Sequence, residues 1–450
     1  MTLAEPRGPE RFEAAVQEFK DATRALLGLE SLEDRPPPEP APLRQHGPPY
    51  QSALLLDEST LRRYADSVGE DNPLYADPAY GPATRYGSPL APGPIVSLAR
   101  YPLDHGATRP GGFPVANYAA GVAFEFFDVI RPGPSLPTSK VPHEFFEKQG
   151  AIGPVLYLGA QTSYWAAGGA LLARAYGSLA LVPMRSMESG RVIDPARLGE
   201  QMLYRGQPHQ YTPAEASELC RMIDNEQRRG RQARWWEEVT LGDDLPPIVQ
   251  PPYTVHDSMT YQWMRHALTA SIDGGRLLRA FGPAYRRGRE QPDFARTHPV
   301  TRWPFTPGEW DEHYDVYLAP YRGVPLPFDF GIHRIQVSYR ILSNWMGDDG
   351  FVRRLYLAFR RPIFYGDVDI LRGRVVKKYR VVERGPETAS RYGAVAVSLD
   401  GTNQRGERHS EGFATVYLPS RECGLPSLPV PHHPDPPYVP VRQARALDWY

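Results

Sequence analysis

The chain has 450 residues, of which 41% are hydrophobic and 23% charged, as expected of a soluble globular protein with two or three domains. Its formal net charge of -1 gives no support for nucleic-acid binding or for a polybasic membrane surface. Cys220 and Cys423 match no metal or disulfide spacing, and no signal peptide or membrane-spanning run is evident. The composition therefore predicts a reduced, cytoplasmic protein.

The first half of the sequence combines predicted helices with a predicted antiparallel meander. An amphipathic helix is predicted from Pro9 to Leu29, followed by an extended proline-rich connector at residues 35–49. A second helix is predicted in DESTLRRYADSVG, with Asp57 or Ser59 as its cap. Strand-like runs separated by turns then follow: GGFPVANYAAGVAFEFFDVI, SKVPHEFFEKQG, GPVLYLGAQTSYWA and GALLARAYGSLALVP.

The second half repeats this pattern after a linker. The linker has a helix start at Thr212-Pro213-x-Glu215, and its arginine-rich run EQRRGRQARWWEE is interpreted as a solvated helix face. Beyond it, YRGVPLPFDFGIHRIQVSYRILSNWM repeats RYGSPLAPGPIVSLARYPLD, and the strand-like runs recur in the same order. The chain is therefore predicted to contain two copies of one α+β unit, each with a central helix and a long meander.

The predicted organisation has two globular units with three connecting or terminal segments. The terminal tail contains PSLPVPHHPDPPYVPVRQ, which is too rich in proline to be predicted as core. The predicted boundaries are 1–48 for the N-terminal helix and arm, 49–188 for the first unit, 189–234 for the linker, 235–420 for the second unit and 421–450 for the tail.

Motifs in both units resemble a known family. GEDNPLYADPAY, FEFFDVIRPGPSL and EKQGAIGPVLYLGAQTSYW resemble the N-terminal dehydratase domain that also occurs in fungal fatty acid synthases. PFDFGIHR, SNWMGDDGF and YGDVDILRGRV resemble its partner in bacterial two-hot-dog proteins. Over roughly residues 49 to 420, the chain resembles the MaoC-like acyl dehydratases. This resemblance implies an α+β tandem (double) hot-dog fold, in which each unit wraps a long antiparallel sheet around a central helix.

The resemblance also implies a reaction. The family interconverts 3-hydroxyacyl and 2-enoyl thioesters bound to CoA or to a carrier protein, and it uses no metal or redox cofactor. This chemistry needs a base for the proton next to the carbonyl, an acid for the hydroxyl that leaves, and donors for the developing oxyanion. The resemblance is compatible with a homodimer and with a partner hot-dog subunit, and no nucleic-acid or membrane partner is expected.

The usual site motif of the family is Asp-x-Asn-Pro-x-His, and the first copy departs from it. GEDNPLY places Glu70 in the acid position and Tyr75 in the histidine position. A phenol with an ordinary pKa of about 10 is a poor base at pH 7. The first copy is therefore interpreted as degenerate, with Tyr75 and Asn72 predicted to bind substrate and Glu70 to serve as a cap or turn residue.

The second copy supplies the histidine. Aligning the two copies sets His313 opposite Tyr75 and Asp315 opposite Asp77, and the usual acid position is occupied by Gly308. We predict that His313 is the catalytic base, although a loop histidine with a purely structural role has the same pattern.

Two carboxylates are candidates for assisting the hydroxyl. Asp329 is predicted first and Asp315 second; Asp329 also fits a plain N-cap of the central helix. Free N–H groups at that helix start, including that of Gly331, are predicted to hold the oxyanion, and Arg334 to bind a carboxylate or phosphate. The predicted substrate-binding residues of this copy are Phe328, Phe330, Gly331 and Arg334.

Three functions are compatible with these patterns. The leading one is an acyl-thioester hydratase or dehydratase. The second is a non-catalytic binding or scaffold subunit, because no intact Asp-x-Asn-Pro-x-His is present in the sequence. The third is a hot-dog enzyme repurposed for a cyclisation or elimination in secondary metabolism.

Overall fold

The computed structural model describes residues 9–32, 55–107, 115–133, 136–150, 153–183, 204, 208–270, 296–297, 300, 304–305, 313, 315–317, 319–322, 324–433 and 438–450. The predicted proline-rich connector at residues 35–49, the boundary near residue 189 and Gly308 lie outside this part of the chain.

The described residues form a helix and strand order that repeats once. The helices are α1 (Pro9–Ala25), α2 (Glu58–Val68), α3 (Pro73–Ala76), α4 (Val96–Ala99), α5 (Pro213–Asp224), α6 (Val255–Ala270) and α7 (Gly331–Met346). The strands are β1 (Ser31–Leu32), β2 (Val115–Phe126), β3 (Thr138–Gly150), β4 (Gly153–Trp165), β5 (Leu171–Pro183), β6 (Asp244–Gln250), β7 (Arg296–Thr297), β8 (Pro304–Phe305), β9 (Phe351–Phe359), β10 (Asp369–Arg384), β11 (Ala389–Thr402) and β12 (Arg408–Leu418).

Ten of these strands form one sheet in the order β1-β3-β4-β5-β2-β9-β12-β11-β10-β6. The first half contributes β3-β4-β5-β2 and the second half contributes β10-β11-β12-β9, so the two meanders have the same strand order. They meet where β2 pairs with β9 in antiparallel register. The two predicted meanders are therefore confirmed, and they share a single continuous sheet.

Buried ion pairs cross the seam between β2 and β9. Glu125 lies opposite Arg354 in the register, and the Arg354 Nε is 3.1 Å from the Glu125 Oε1. Arg353 approaches the same carboxylate at 3.5 Å. Burial opposes ionisation of Glu125, but the two guanidinium groups outweigh it and hold the pKa of this carboxyl below its usual value.

Local signals explain why α2 begins and ends where it does. The Asp57 side chain, one of the two predicted caps, accepts a hydrogen bond from a first-turn N–H. Leu61, Tyr64 and Val68 recur at helical spacing and are buried. Gly69 ends the helix with a positive φ of 65°.

Helix α7 is the central helix of the second half, and it lies against the sheet. It contacts β2, β6, β9, β10 and β12, and every residue from Ile332 to Met346 is buried. Two of its polar side chains donate hydrogen bonds to the first half: Gln336 Nε2 donates to Ser97 Oγ at 2.7 Å, and Arg340 Nη1 donates to the Gly69 carbonyl at 2.6 Å. The first half therefore supplies part of the environment of the second half's helix.

The first half does not have the full central helix that the sequence pattern predicts. The equivalent segment is a 3-10 turn, Gly93–Ile95, followed by the four-residue helix α4. Arg100 already has extended backbone angles, with φ of -148° and ψ of 128°. Pro102 disfavours helical angles in Tyr101 and cannot itself continue a helix, so the segment could not extend far beyond this point.

One prediction about the linker is wrong and one is confirmed. The arginine-rich run is not a helix face, because α5 ends at Asp224 and the chain continues as a loop. This loop binds neighbouring elements: Arg228 forms an ion pair with Asp71, and Arg234 Nε donates to the Trp345 carbonyl at 2.7 Å. The capping box of Thr212 and Glu215 at the start of α5 is confirmed.

The proline-rich tail contributes to a core, contrary to prediction. Val441, Ala444 and Tyr450 are buried in a cluster with Tyr176 and Tyr356 of the sheet. These two sheet residues alternate with neighbours that pack toward α7, so the tail covers the opposite face of the sheet.

The remaining predictions concern the N-terminal helix, the cysteines and membrane spans. Helix α1 ends at Ala25, four residues before the predicted end at Leu29. Cys220 and Cys423 are both free thiols. Among the described helices, none combines the length and apolar character that crossing a membrane requires.

Candidate active site

The two halves bring equivalent backbone positions to the start of their central helices. In the first half, the Ala91 N–H donates to the Ile130 carbonyl at 2.9 Å. In the second half, the Asp329 N–H donates to the Ile363 carbonyl at the same distance. Each donor lies two residues before the glycine that begins the helical segment, so Ala91 and Asp329 occupy equivalent positions.

This equivalence supports the pairing of Tyr75 with His313. Tyr75 precedes Ala91 by 16 residues, and His313 precedes Asp329 by 16 residues. His313 occupies in the second half the position that Tyr75 occupies in the first.

Asp315 has a turn-forming role that is repeated in the first half. Its Oδ1 accepts a hydrogen bond from the Tyr317 N–H at 2.8 Å, and Asp77 Oδ1 accepts one from the Ala79 N–H at 2.9 Å. Both are turns in which an aspartate side chain binds the backbone two residues ahead. This shared geometry accounts for the aspartate that lies two residues after Tyr75 in the first half and two residues after His313 in the second.

The His313 ring lies beside the start of α7 in a fixed orientation. It is 8% exposed, and its centroid is 3.8 Å from that of Phe330 and 4.3 Å from that of Phe328. Its Nδ1 lies 2.7 Å from the Phe328 carbonyl oxygen. Because a carbonyl only accepts, Nδ1 carries the proton in this contact, and Nε2 is the ring nitrogen that can take one up.

The start of α7 is not capped in the way the sequence suggests. Phe330 is the N-cap residue, and among the described residues no side chain hydrogen-bonds to the first-turn N–H groups of α7. The prediction that Asp329 caps this helix is therefore wrong. Gly331 is required here by close packing, since an added Cβ would lie 2.8 Å from the Ala119 Cβ. The uncapped turn presents N–H donors and the positive end of the helix dipole next to His313.

Asp329 instead forms a buried ion pair with Arg334. Arg334 Nη2 and Nε donate to the two carboxylate oxygens at 2.5 and 2.8 Å, and the Ile363 N–H donates to Oδ1 at 2.9 Å. Arg334 Nη1 also donates to the carbonyls of Arg361 and His409. Arg334 thus binds a carboxylate within the chain, and the pair ties the helix start to the sheet.

The first-half motif is buried at a different place along α7. Glu70 Oε1 accepts from the Asn72 N–H at 3.0 Å, and its Oε2 accepts from Ser343 Oγ at 3.2 Å. Burial raises the pKa of Glu70 to about 7. The Asn72 side chain caps α3 by accepting from the Leu74 N–H at 3.1 Å. Glu70 is therefore more than the turn residue that the sequence suggests.

Tyr75 lines two narrow clefts beside the short helical segment of the first half. Its ring centroid lies 6.2 Å from that of Tyr339 in an edge-on contact, and burial raises the pKa of its phenol above the usual value. The walls of one cleft include Gly93 and Phe126. The Phe126 ring covers Gly93 so closely that an added Cβ would lie 2.7 Å from it. Aromatic rings thus occupy much of this first-half site.

The predicted site residues consequently fall into two groups. His313, Phe328, Phe330, Gly331 and Arg334 lie at the start of α7. Tyr75 contacts Tyr339, which is eight residues and therefore roughly 12 Å further along the helix, and Glu70 contacts Ser343 beyond it. Tyr75 and Asn72 therefore contact a different part of α7 from the one that lies beside His313.

Sequence reasoning missed the residues that hold the His313 backbone. Tyr365 Oη donates to the His313 carbonyl at 2.5 Å, and Ser258 Oγ donates to the same oxygen at 3.1 Å. Ser258 lies 55 positions before His313 and Tyr365 lies 52 positions after it. No local pattern in the sequence marks either hydroxyl, because the contact is made only when the fold brings the three segments together.

Comparison with known proteins agrees with this architecture. Residues 51–175 match the family model described as "FAS1-like, dehydratase domain region". A solved structure named MaoC-like dehydratase is similar, with 15% identity, coverage of 88% of this chain and 99% of that chain, and a TM-score of 0.54. No curated protein sequence matches the chain.

Two other solved structures are more distantly similar. A MaoC-like dehydratase from Phytophthora capsici is 12% identical, covers 82% of this chain and 93% of that chain, and has a TM-score of 0.42. A Mycobacterium tuberculosis protein described as having a double hot-dog fold is 13% identical, covers 84% of this chain and 99% of that chain, and also has a TM-score of 0.42.

The sheet order and these comparisons define the class of protein: an α+β double hot-dog protein. More particularly, residues 51–175 match the family model of the FAS1-like dehydratase domain region, and the chain shares the fold of a MaoC-like dehydratase. The resemblance drawn from the sequence motifs is confirmed.

Proposed function

We propose that the protein is an acyl-thioester hydratase or dehydratase that interconverts 3-hydroxyacyl and 2-enoyl thioesters. The observation that carries this proposal is the placement of His313. Its Nδ1 is bound to the Phe328 carbonyl, and its ring stacks on Phe330 beside the uncapped first turn of α7. A base of fixed orientation next to helix N–H donors is the combination that this reaction requires.

In the dehydration direction, His313 Nε2 takes the proton from the carbon next to the thioester carbonyl. Negative charge develops on the carbonyl oxygen, and the first-turn N–H groups of α7, including that of Gly331, stabilise it. The electron pair then forms the C2–C3 double bond as the C3 hydroxyl leaves. The imidazolium of His313 protonates that hydroxyl, so water is released and the neutral imidazole is restored. Hydration follows the same steps in reverse.

In this proposal the acid role passes from the two aspartates to His313. Both oxygens of Asp329 already accept hydrogen bonds, and using this carboxyl as a proton donor would break its pair with Arg334. Asp315 is engaged in its own turn. We therefore assign both aspartates to maintaining the site, with Asp329 holding the helix start and Asp315 the loop that carries His313.

The acyl group is proposed to lie against the aromatic residues beside His313. Phe328 packs with Phe364, and Tyr118 of β2 stacks on Phe328 at 6.3 Å between centroids, so residues from both halves form this wall. Tyr75 is assigned to the far end of the acyl pocket and Asn72 to the turn that carries it. The thioester would be carried by CoA or a carrier protein in the cytoplasm.

A hydration assay tests the proposal. Crotonyl-CoA, longer 2-enoyl-CoAs and the corresponding carrier-protein thioesters are supplied to the wild type, to His313→Ala and to His256→Ala, an exposed histidine on α6. We expect His313→Ala to lower kcat by a factor of about 100 or more, because general acid–base catalysis contributes at least that much. The His256→Ala control should retain wild-type activity. Full activity in His313→Ala would contradict the assignment of the base.

A second candidate function is a non-catalytic hot-dog subunit that binds acyl thioesters. The ion pair between Asp329 and Arg334 favours this second candidate, because a carboxyl held in that pair is not available as a second acid group beside His313. Calorimetric titration with crotonyl-CoA distinguishes the two functions. Binding without turnover by the wild type, with any chain length or carrier, would support the second candidate and exclude the first.

A further inference from the structure

The backbone of His313 is held by two hydroxyl groups from distant parts of the chain. Tyr365 Oη donates to the His313 carbonyl at 2.5 Å and Ser258 Oγ donates to it at 3.1 Å. The ring is held separately through Nδ1 and the Phe328 carbonyl. Hydrogen bonds from three different segments therefore converge on this one residue.

The two hydroxyls come from well-anchored positions. Ser258 is fully buried in the first turn of α6, where its N–H donates to the Thr254 carbonyl at 3.3 Å. Tyr365 lies between β9 and β10, its N–H donates to the Pro327 carbonyl at 2.9 Å, and its ring lies 5.7 Å from that of Tyr253. Each hydroxyl thus holds the His313 backbone at a fixed position relative to a packed part of the fold.

The two hydrogen bonds to the His313 carbonyl matter because the hydrogen bond from Nδ1 to Phe328 does not by itself determine where Nε2 points. The Nδ1–H contact permits the imidazole to pivot about the Phe328 carbonyl whenever the backbone of His313 moves. Two donors on the His313 carbonyl restrict that movement. A reacting nitrogen must be held within about 0.5 Å of its productive position for efficient proton transfer, so this restriction bears directly on rate.

We propose that Tyr365 and Ser258 are positioning residues that fix the direction of the His313 imidazole for proton transfer; this inference rests on the hydratase function proposed above. Neither residue donates a proton to the substrate. Both act through the backbone of His313, and Tyr365, with the shorter contact, has the larger effect.

The chemistry of Tyr365 agrees with this role. Burial raises the pKa of its phenol to about 12, so the hydroxyl keeps its proton at any physiological pH and remains a hydrogen-bond donor. The hydroxyl donates its hydrogen bond to a backbone carbonyl, which can accept a hydrogen bond but cannot donate one. Tyr365 is consequently suited to holding a structure and poorly suited to acid catalysis.

Removal of single hydroxyls tests the inference. The variants are Tyr365→Phe, Ser258→Ala and the double variant, with Tyr392→Phe as the matched control. Tyr392 also donates its hydroxyl to a backbone carbonyl, that of Ser427 at 2.9 Å, in a distant part of the second half. Two quantities are measured on the full chain: kcat and KM with crotonyl-CoA, and the rate at which diethyl pyrocarbonate modifies His313, followed by peptide mass spectrometry.

We expect Tyr365→Phe to lower kcat about tenfold with little change in KM, because the free energy of one well-formed hydrogen bond corresponds to a rate change of about that size. The rate of modification of His313 should rise about threefold or more, because the ring becomes more mobile, while Tyr392→Phe leaves both quantities unchanged. The double variant should lose more kcat than either single variant.

The modification rate separates this inference from the proposed function. An unchanged rate of His313 modification in Tyr365→Phe and Ser258→Ala would overturn the positioning role, whatever the activity. Equal effects of Tyr365→Phe and Tyr392→Phe would also overturn it, since both would then reflect general destabilisation. Faster modification of His313 in Tyr365→Phe and Ser258→Ala, together with a wild type that hydrates no enoyl thioester, would uphold the restraint on His313 and reject the hydratase function, and with it any part of these residues in catalysis.

Discussion

Glu70 is a buried carboxyl whose ionisation should weaken the fold. It is 4% exposed, and burial raises its pKa from 4.5 to about 7 despite the nearby guanidinium of Arg340. A folded-state pKa above the unfolded value means that the folded protein holds this proton more tightly. Stability is therefore full at low pH and is lost as the pH rises from about 4.5 through 7.

The size of this loss of stability follows from the rise in the pKa of Glu70 on folding. Each pKa unit corresponds to about 1.4 kcal/mol, so ionised Glu70 costs roughly 3 kcal/mol of unfolding free energy at pH 8. Glu70→Gln removes the charge and keeps the shape. Its amide oxygen can accept from the Asn72 N–H and its amide nitrogen can donate to Ser343 Oγ, the two present partners of Glu70. We expect the variant to be more stable than the wild type by roughly 3 kcal/mol at pH 8 and by less than about 1 kcal/mol at pH 4.5.

Urea unfolding followed by tryptophan fluorescence at both pH values measures the difference. Glu387→Gln, an exposed glutamate in the turn between β10 and β11, serves as the control and should change stability little at either pH. A Glu70→Gln protein that is less stable than the wild type at pH 8 would refute the reasoning. A gain of equal size at both pH values would refute it as well, since the cause would then not be ionisation.

Two further substitutions test the seam and the helix start. Glu125→Gln should lower the unfolding free energy by roughly 3–5 kcal/mol, because it leaves two arginines without their shared buried carboxylate; wild-type stability in denaturant unfolding would show that the seam does not depend on this pair. Gly331→Ala should cost roughly 1–3 kcal/mol in the same measurement, because the new methyl meets Ala119, whereas Gly168→Ala, with no atom within 4 Å, should be neutral. An equal effect of the two glycine substitutions would contradict the packing argument.

The features that the sequence predicts well depend on neighbouring residues. The cap at Asp57 and the capping box at Thr212 and Glu215 each involve residues three positions apart, so the pattern contains the whole interaction. The spacing of His313 before the central helix is likewise a local pattern, and it is repeated at Tyr75. The two meanders could be predicted because alternation and turn residues mark each strand.

The features that it misses depend on residues brought together by folding. Asp329 has the residue type and position of a cap, yet Arg334 and the distant Ile363 N–H bind it more effectively. The burial of Glu70 depends on Ser343, which lies 273 positions away. The repeat predicts a full central helix in the first half, whereas Pro102 is a local signal that limits how far such a helix can extend. Internal similarity therefore predicted the architecture better than the detail of each copy.

The shared sheet also bears on how the two copies could come to differ. In an assembly of two identical single-copy chains, any substitution appears at both sites at once, so a change that fills one pocket with aromatic rings fills both. Joining the copies in one chain across the β2–β9 seam removes that constraint. The first copy was free to shorten its helix and close around Tyr75, while the second kept a long helix and a histidine at its start. Covalent linkage thus permits the asymmetry between the two copies that the structure shows.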